Sequence, residues 1–216
     1  MDTVLEINNL KKRIGKKEIL NNIDLNLKKG VTYGLVGPNG SGKSSLLKCI
    51  ANISKYKGAI YRTCDIGYSI EEPSFYKYFS AFDNLYYLAN LRESTNKEDI
   101  QAILRYFEIN YGKLKYKSFS YGMKVKLSIA SAFLNNPGIV ILDEPTNGLD
   151  PVAIKDLRRI LASFKDKTII ISSHLLSEVE KMCDEVIFIK DGRIIDKLDV
   201  SDDIHLEEKF FERIGE

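Results

Sequence analysis

The chemistry of this chain is concentrated first in eight consecutive residues, Gly37-Pro38-Asn39-Gly40-Ser41-Gly42-Lys43-Ser44, which fit the pattern G-x-x-x-x-G-K-S. Glycines at 40 and 42 open backbone conformations closed to other residues, so that successive N–H groups converge on an anion at the start of the helix that follows. The anion this arrangement suits is the phosphate chain of a nucleotide. Asn39, Gly40, Ser41, Gly42, Lys43, Ser44 and Ser45 are then the residues around it: Lys43 reaches the β- and γ-phosphates, and Ser44 offers a hydroxyl to Mg²⁺. A glycine-rich connector without a ligand is the bland alternative. The position after an apolar run, residues 31–36, and before an apolar-faced helix, residues 43–52, speaks for the ligand.

The second concentration is Ile139-Val140-Ile141-Leu142-Asp143-Glu144, an apolar run that ends in two carboxylates. Ligands of α/β folds sit at the carboxyl edge of the sheet, which is where these acids fall. Asp143 is suited to hold the metal, directly or through water. Glu144 points elsewhere and can accept a proton from the water that attacks the γ-phosphate. His174 follows Ile169-Ile170-Ile171-Ser172-Ser173 and so brings a third polar group to the same edge, whereas His205 has no such address. Asp150-Pro151 has a sufficient local explanation, an N-cap followed by proline at the first helical position.

The elements that must position these residues can be read from periodicity. Strands are expected over 4–7, 19–27 and 31–36, then the glycine loop and a helix over 43–52. Two short strands near Ile60 and Ile66 lead into polar helical stretches at 81–90, 98–107 and 120–134. Apolar runs at 139–142 and 168–171 flank a helix that starts at Pro151, an alternation that implies a parallel sheet. Runs at 186–189 and 193–195, joined by Asp191-Gly192, read as a hairpin, and 206–214 as a last helix. The expected fold is α/β, a single domain of residues 1–216 with a mixed central sheet, an N-terminal antiparallel β part and a helical insert. The core would be 1–70 and 137–216, the helical part about 71–136.

Composition limits the partners. With 32 basic and 30 acidic residues the formal charge is +2, which leaves no strong field for a polyanion and gives no support for nucleic acid as a partner. No apolar run approaches the ~20 residues needed to span a bilayer. MDTVLEINNL lacks the basic and apolar regions of a secretory signal, so a cytoplasmic protein is expected. Cys49, Cys64 and Cys183 are scattered, with no CxxC pair, and read as core or near-core residues rather than disulfides or zinc ligands.

Taken in order with a helical insert between them, the phosphate loop, the acidic strand end and His174 resemble the nucleotide-binding subunit of ATP-binding cassette (ABC) transporters, a P-loop NTPase fold, along essentially the whole chain. Phe119-Ser120-Tyr121-Gly122-Met123-Lys124 resembles that family's LSGGQ signature in its SYGMK form, with Tyr121 in place of the middle glycine. The resemblance implies that Ser120 and Gly122 close over ATP held by the phosphate loop of another subunit. The family's D-loop then corresponds to residues 147–150, ending in Asp150, and its switch histidine to His174. It also implies ATP hydrolysis with Mg²⁺, a multi-span membrane permease as partner, and pairing with a second copy or a paralogous ATPase on the inner face of the membrane. Two departures stand out. Glu71 occupies the place where the family carries glutamine, beside the metal, and no aromatic precedes Tyr33 to stack on adenine. Ile14, or the guanidinium of Arg13, is left as the base platform, unless Ile14 packs in the core. Glu71, the SYGMK signature and the tail Leu206-Glu207-Glu208-Lys209-Phe210-Phe211 resemble exporters of antimicrobial peptides, especially lantibiotic self-protection systems.

Two other patterns in the sequence have simpler explanations or lack support. Asn96-Lys97-Glu98-Asp99 fits the guanine-reading pattern N-K-x-D, but it follows polar residues and precedes the acidic strand end, and Thr95 with Glu98 makes a capping box that accounts for it locally. An ABC ATPase acting on ribosomes or DNA would carry two cassettes or a long coiled coil, and this chain shows neither sustained heptads nor a basic stripe.

Overall fold

The computed structural model describes residues 2–71, 75–92, 96–200 and 206–214. Glu72 and Pro73 of the linker, Thr95 and His205 therefore lie outside the described residues. Two sheets organise the chain. The smaller is antiparallel, order β2-β1-β4, built from β1 (Thr3–Ile14), β2 (Lys17–Lys28) and β4 (Lys57–Arg62). The larger has the order β5-β6-β7-β3-β8-β9, with β3 (Thr32–Val36), β5 (Ile66–Ser69), β6 (Ile139–Asp143), β7 (Thr168–Ser173), β8 (Glu185–Lys190) and β9 (Arg193–Asp199). Its first five strands run parallel and only β9 is antiparallel.

A parallel sheet needs both faces covered, so its strands are apolar without alternation. One face carries Ile139 and Ile141 of β6, Ile170 of β7 and Ile187 and Ile189 of β8, packed with the antiparallel sheet and with α1 (Lys43–Ile50). The other carries Val140, Leu142, Ile169, Ile171, Val186 and Phe188. Over that face lie α2 (Ala81–Arg92), α3 (Lys97–Tyr106), α4 (Tyr121–Ser131), α5 (Pro151–Leu161) and α6 (Leu176–Met182), with α7 (Leu206–Ile214) bringing Leu206 to the same core. The helices inserted between β5 and β6 thus share one core with the sheet. At their joint Phe107, Phe133 and Phe164 cluster, with ring centroids 4.3 Å apart for Phe133 and Phe164 and 5.1 Å for Phe107 and Phe133.

The α/β class, the antiparallel N-terminal part and the helical insert agree with expectation; the differences are local. β1 does not stop at Ile7, because Asn9 adopts φ 52° and its N–H donates to Asp24 Oδ1 at 2.6 Å. The resulting bulge lets the strand resume at Leu10, opposite Ile23, and run on to Ile14. α1 ends at Ile50 and α4 at Ser131, short of the expected 52 and 134, where Asn52, Asn135 and Asn136 turn to positive φ. The cap of α3 is Asn96 rather than Thr95: its side chain accepts from the N–H of Asp99 at 2.7 Å, which gives Asn96 and Asp99 of the N-K-x-D pattern a purely structural use. α6 escaped the sequence reading, since seven residues give too little periodicity.

β5 is an edge strand pinned from behind. A Cβ on Gly67 would stand 1.7 Å from the carbonyl oxygen of Ala132, a backbone atom that cannot step aside. Gly67→Ala should therefore cost about 2–3 kcal/mol, read as a lower urea midpoint with an unchanged slope.

Candidate active site

β3 delivers the chain into the phosphate loop. Gly40 and Gly42 take φ 83° and 110°, the left-handed values that only glycine adopts cheaply. A Cβ on Gly42 would also meet Leu20 Cδ2 at 2.9 Å and the carbonyl of Ile19 at 3.2 Å, so the loop is seated on β2. A second support is the β8–β9 turn, where Asp191 and Gly192 have φ 48° and 73°, and the N–H of Gly192 donates to the carbonyl of Ser41 at 2.9 Å. Sequence pattern alone gives that turn no role beyond closing the hairpin.

α1 begins at Lys43 with no side-chain cap and no acid in its first turn, so its N–H groups and the positive end of its dipole remain available. Lys43 is buried. Its Nζ donates to the carbonyls of Gly37 and Pro38 at 2.7 and 3.3 Å. Burial lowers its pKa, while the carboxylates of Glu144 and Asp143 work in the other direction, which places all three in one electrostatic environment. Ser41 is buried too, and its Oγ has no hydrogen-bond partner. A cradle with free N–H groups, a buried ammonium and an orphaned hydroxyl fits a phosphate chain. Ser44 and Asp143 add hard oxygen donors, and a site with so few protein ligands suits Mg²⁺, which keeps waters and shares phosphate oxygens.

The periodicity of β6 decides where its acids go. Asp143 falls on the same face as Ile139 and Ile141, the face that α1 covers. Its partner in the parallel register is Ser172 of β7. The Ser172 hydroxyl donates to Asp143 Oδ1 at 2.5 Å and accepts from the N–H of Glu144 at 2.9 Å. Glu144 has φ 50°, an unusual value for a non-glycine residue, and its Oε2 lies 2.8 Å from His174 Nδ1. The two catalytic candidates are thus in contact. Ser172 went unassigned in the sequence because only the strand register reveals it.

Glu71, at φ 61°, lines a cavity of about 190 Å³ with Asp143, Glu144, Tyr121, Lys124 and Ser128. Its carboxylate forms an ion pair with Lys48 of α1, so it is tied to the phosphate-loop helix while remaining largely exposed. Ile14 is 60 % exposed, which removes the alternative that it packs in the core. It pairs with Lys17, two residues before Ile19, whose carbonyl lies against Gly42. Arg13 beside it is also exposed.

Ser120 caps α4, accepting from the N–H of Met123 at 3.3 Å. With Gly122 it lines a separate cavity of about 220 Å³ that also includes Leu149, Ala153 and Asp156. Neither residue lines the cavity that holds Asp143 and Glu144. Tyr121 ties this signature segment to the loop before α5: its hydroxyl donates to the carbonyl of Asn147 at 3.3 Å, and a Cβ on Gly148 would stand 2.7 Å from its ring.

A family model described as ABC transporter matches residues 20–147, more than half of the chain. The chain belongs to the ABC transporter family. ATP binding and hydrolysis in the service of transport are therefore its activity. This cassette is 43% identical to the lantibiotic transport ATP-binding protein SrtF of Streptococcus pyogenes, over 98% of this chain and 97% of that one. It is 34% identical to the bacitracin transport ATP-binding protein BcrA of Enterococcus faecalis, over 94% and 71%. Among solved structures, an ATP-binding subunit of an ABC transporter superposes with TM-score 0.86 at 28% identity, covering 98% of this chain and all of that one. These relatives are transport proteins, and the ribosome or DNA reading gains nothing from them.

Asp150 has a structural use that stands by itself. Asp150 accepts from the N–H groups of Val152 and Ala153, both at 2.9 Å, so its capping role exists without nucleotide. Asp150→Ala should lower stability by about 1 kcal/mol in nucleotide-free thermal melts, and a loss of turnover beyond what that destabilisation explains would indicate a use in addition to capping.

Proposed function

We propose that this cassette works as an ATP-dependent pair, with a second copy or a paralogous ATPase, on the inner face of the cell membrane, and drives a multi-span permease that exports lantibiotic-type peptides. The observation that carries the catalytic part is the contact between Glu144 and His174 beside Asp143. The cargo class rests on the full-length similarity to a lantibiotic transport protein.

In this reading the N–H groups of residues 39–45 and the Lys43 ammonium hold the β- and γ-phosphates. Ser44 and Asp143 would hold Mg²⁺, and Glu71, which lines the cavity with Asp143, would add its carboxylate on leaving Lys48. The metal neutralises charge on the phosphates when bound. Glu144 takes the proton from the attacking water, and His174 keeps the Glu144 carboxylate turned toward that water. Ser120 and Gly122, which line a different cavity from Asp143 and Glu144, would meet the γ-phosphate held by the other subunit, with the N–H groups at the start of α4 as donors. Asp150 and its loop line the same junction.

A surface for the permease is available on the insert. Tyr76, Tyr78, Phe79, Tyr87 and Leu91 are all exposed, and Tyr76 packs its ring 4.9 Å from Phe79 and 4.8 Å from Tyr87. So many aromatics standing together in solvent are suited to burial against a partner. No helix among the described residues is long and apolar enough to cross a membrane.

Two outcomes test this reading. Glu144→Gln should bind ATP without consuming it and double its mass at saturating ATP and Mg²⁺, as seen by light scattering, whereas Lys43→Ala should lose nucleotide binding itself. A Glu144→Gln protein that stays monomeric counts against the paired mechanism.

The base platform gives the second. Stacking of a base on an aromatic side chain is worth ~1–3 kcal/mol, so a platform made by Ile14 leaves most of the affinity to the phosphate loop. GTP should then compete almost as well as ATP, and Ile14→Tyr should tighten ATP binding about tenfold in calorimetry with turnover at saturating ATP unchanged. Unchanged affinity in a folded Ile14→Tyr protein would place the base elsewhere.

A further inference from the structure

We propose that Ser172 is a positioning residue for hydrolysis, one hydroxyl that sets both the metal-facing carboxylate of Asp143 and the backbone of Glu144. The inference rests on the reading that those two acids serve ATP hydrolysis.

The hydroxyl carries a single proton, and its direction is fixed by what surrounds it. The N–H of Glu144 donates to Ser172 Oγ at 2.9 Å, so the Ser172 proton is free to go to Asp143 Oδ1, 2.5 Å away. With Oδ1 held, the other oxygen of Asp143 has a fixed direction. The second bond acts on Glu144, whose φ of 50° needs an outside restraint in a residue with a Cβ. That restraint sets the path of the backbone from which the Glu144 side chain leaves toward His174.

Nothing in packing calls for a hydroxyl here. Ser172 is fully buried, and the three residues before it in β7 are isoleucines, the type that a sheet covered on both faces favours. It sits opposite Asp143 on one side and Leu35 of β3 on the other, so the strand that leads to the phosphate loop and the strand that ends in the acids flank the same serine. A hydroxyl that only satisfied itself in a core would bond to its own strand or to a backbone carbonyl. This one bonds to the two groups that the chemistry needs in fixed relation.

The full-length protein carries the test, with Ser172→Ala, Ser172→Cys and Ser172→Thr compared with wild type. Turnover is measured against Mg²⁺ concentration at saturating ATP, together with the rise in melting temperature that ATP causes with Mg²⁺ and with EDTA. Ser172→Ala should keep the ATP-induced stabilisation in EDTA, lose part of the extra stabilisation given by Mg²⁺, need several-fold more Mg²⁺ for half-maximal turnover and lose at least tenfold in kcat. Ser172→Thr, which retains the hydroxyl, should recover most of that loss. Ser172→Cys, similar in shape but a weak donor, should remain impaired, and it decides the matter if the alanine variant does not fold. Wild-type kcat and Mg²⁺ requirement in Ser172→Ala or Ser172→Cys would overturn the inference. Glu144→Gln run alongside separates the two levels: if it turns over ATP at the wild-type rate, the assignment of Glu144 falls and Ser172 falls with it, whereas an inactive Glu144→Gln beside an unimpaired Ser172→Ala defeats Ser172 alone.

Discussion

The register of β7 between β6 and β3 is the constraint on which the site depends. Side chains alternate along a strand, so a slip of one residue would put Ser172 on the far face of the sheet and bring Ser173 or Ile171 opposite Asp143. The isoleucines of β7 prevent that slip, since Ile170 is buried against α1 and the antiparallel sheet while Ile169 and Ile171 are buried under the helices. Apolar packing over the length of the strand thus fixes a polar geometry at its end. The same register sets Leu35 beside Ser172, and two residues further β3 opens into the phosphate loop.

Around that register the chain is fitted closely. Gly34 has no side chain because Val179 of α6 fills the space, with Cγ1 only 2.3 Å from where a Cβ would stand. Gly192 is similarly excluded from carrying one by the carbonyl of Ile19 at 2.2 Å. These approaches bring β2, the β8–β9 turn and α6 against the strand and loop that carry the phosphate site. The loop's shape is thereby determined by three segments distant in sequence, and its own glycines only permit it.

The sequence made the site legible where chemistry and context are contiguous. The phosphate loop is eight residues between a strand and a helix, and Asp143 and Glu144 end an unbroken apolar run, so residue type and local pattern agree. Ser172 was invisible for the opposite reason: a serine at the end of a strand is unremarked until register shows that it faces an acid 29 residues away. The contacts of Glu71 with Lys48 and of Tyr121 with Gly148 are of that kind as well, made across turns whose paths no local period encodes. In the fold, the long β1 was hidden by Asn8-Asn9, which look like the end of a strand and are a bulge within it. Asn96 was passed over as a cap because Thr95 also offered the right chemistry, and a choice between adjacent caps depends on where the first helical turn closes.

The aromatic joint between the insert and the rest of the molecule bears on how the insert is held. Tyr106, Phe107 and Phe133 come from the insert and Phe164 from the segment after α5, and their rings interlock without any directional bond among them. Polar ties accompany them, Tyr106 to Ser163 and Arg159 to Glu108 at exposed positions and the buried Lys167 ammonium to Asn136 Oδ1 at 2.6 Å. The rings do not close the joint completely: a cavity of about 500 Å³ opens beside them, lined by Tyr106, Phe107, Phe133 and Phe164 together with Asn136 and Lys167. The insert is thus fastened at this joint through contact area, which has no preferred direction, and through a few side-chain bonds beside it, which do.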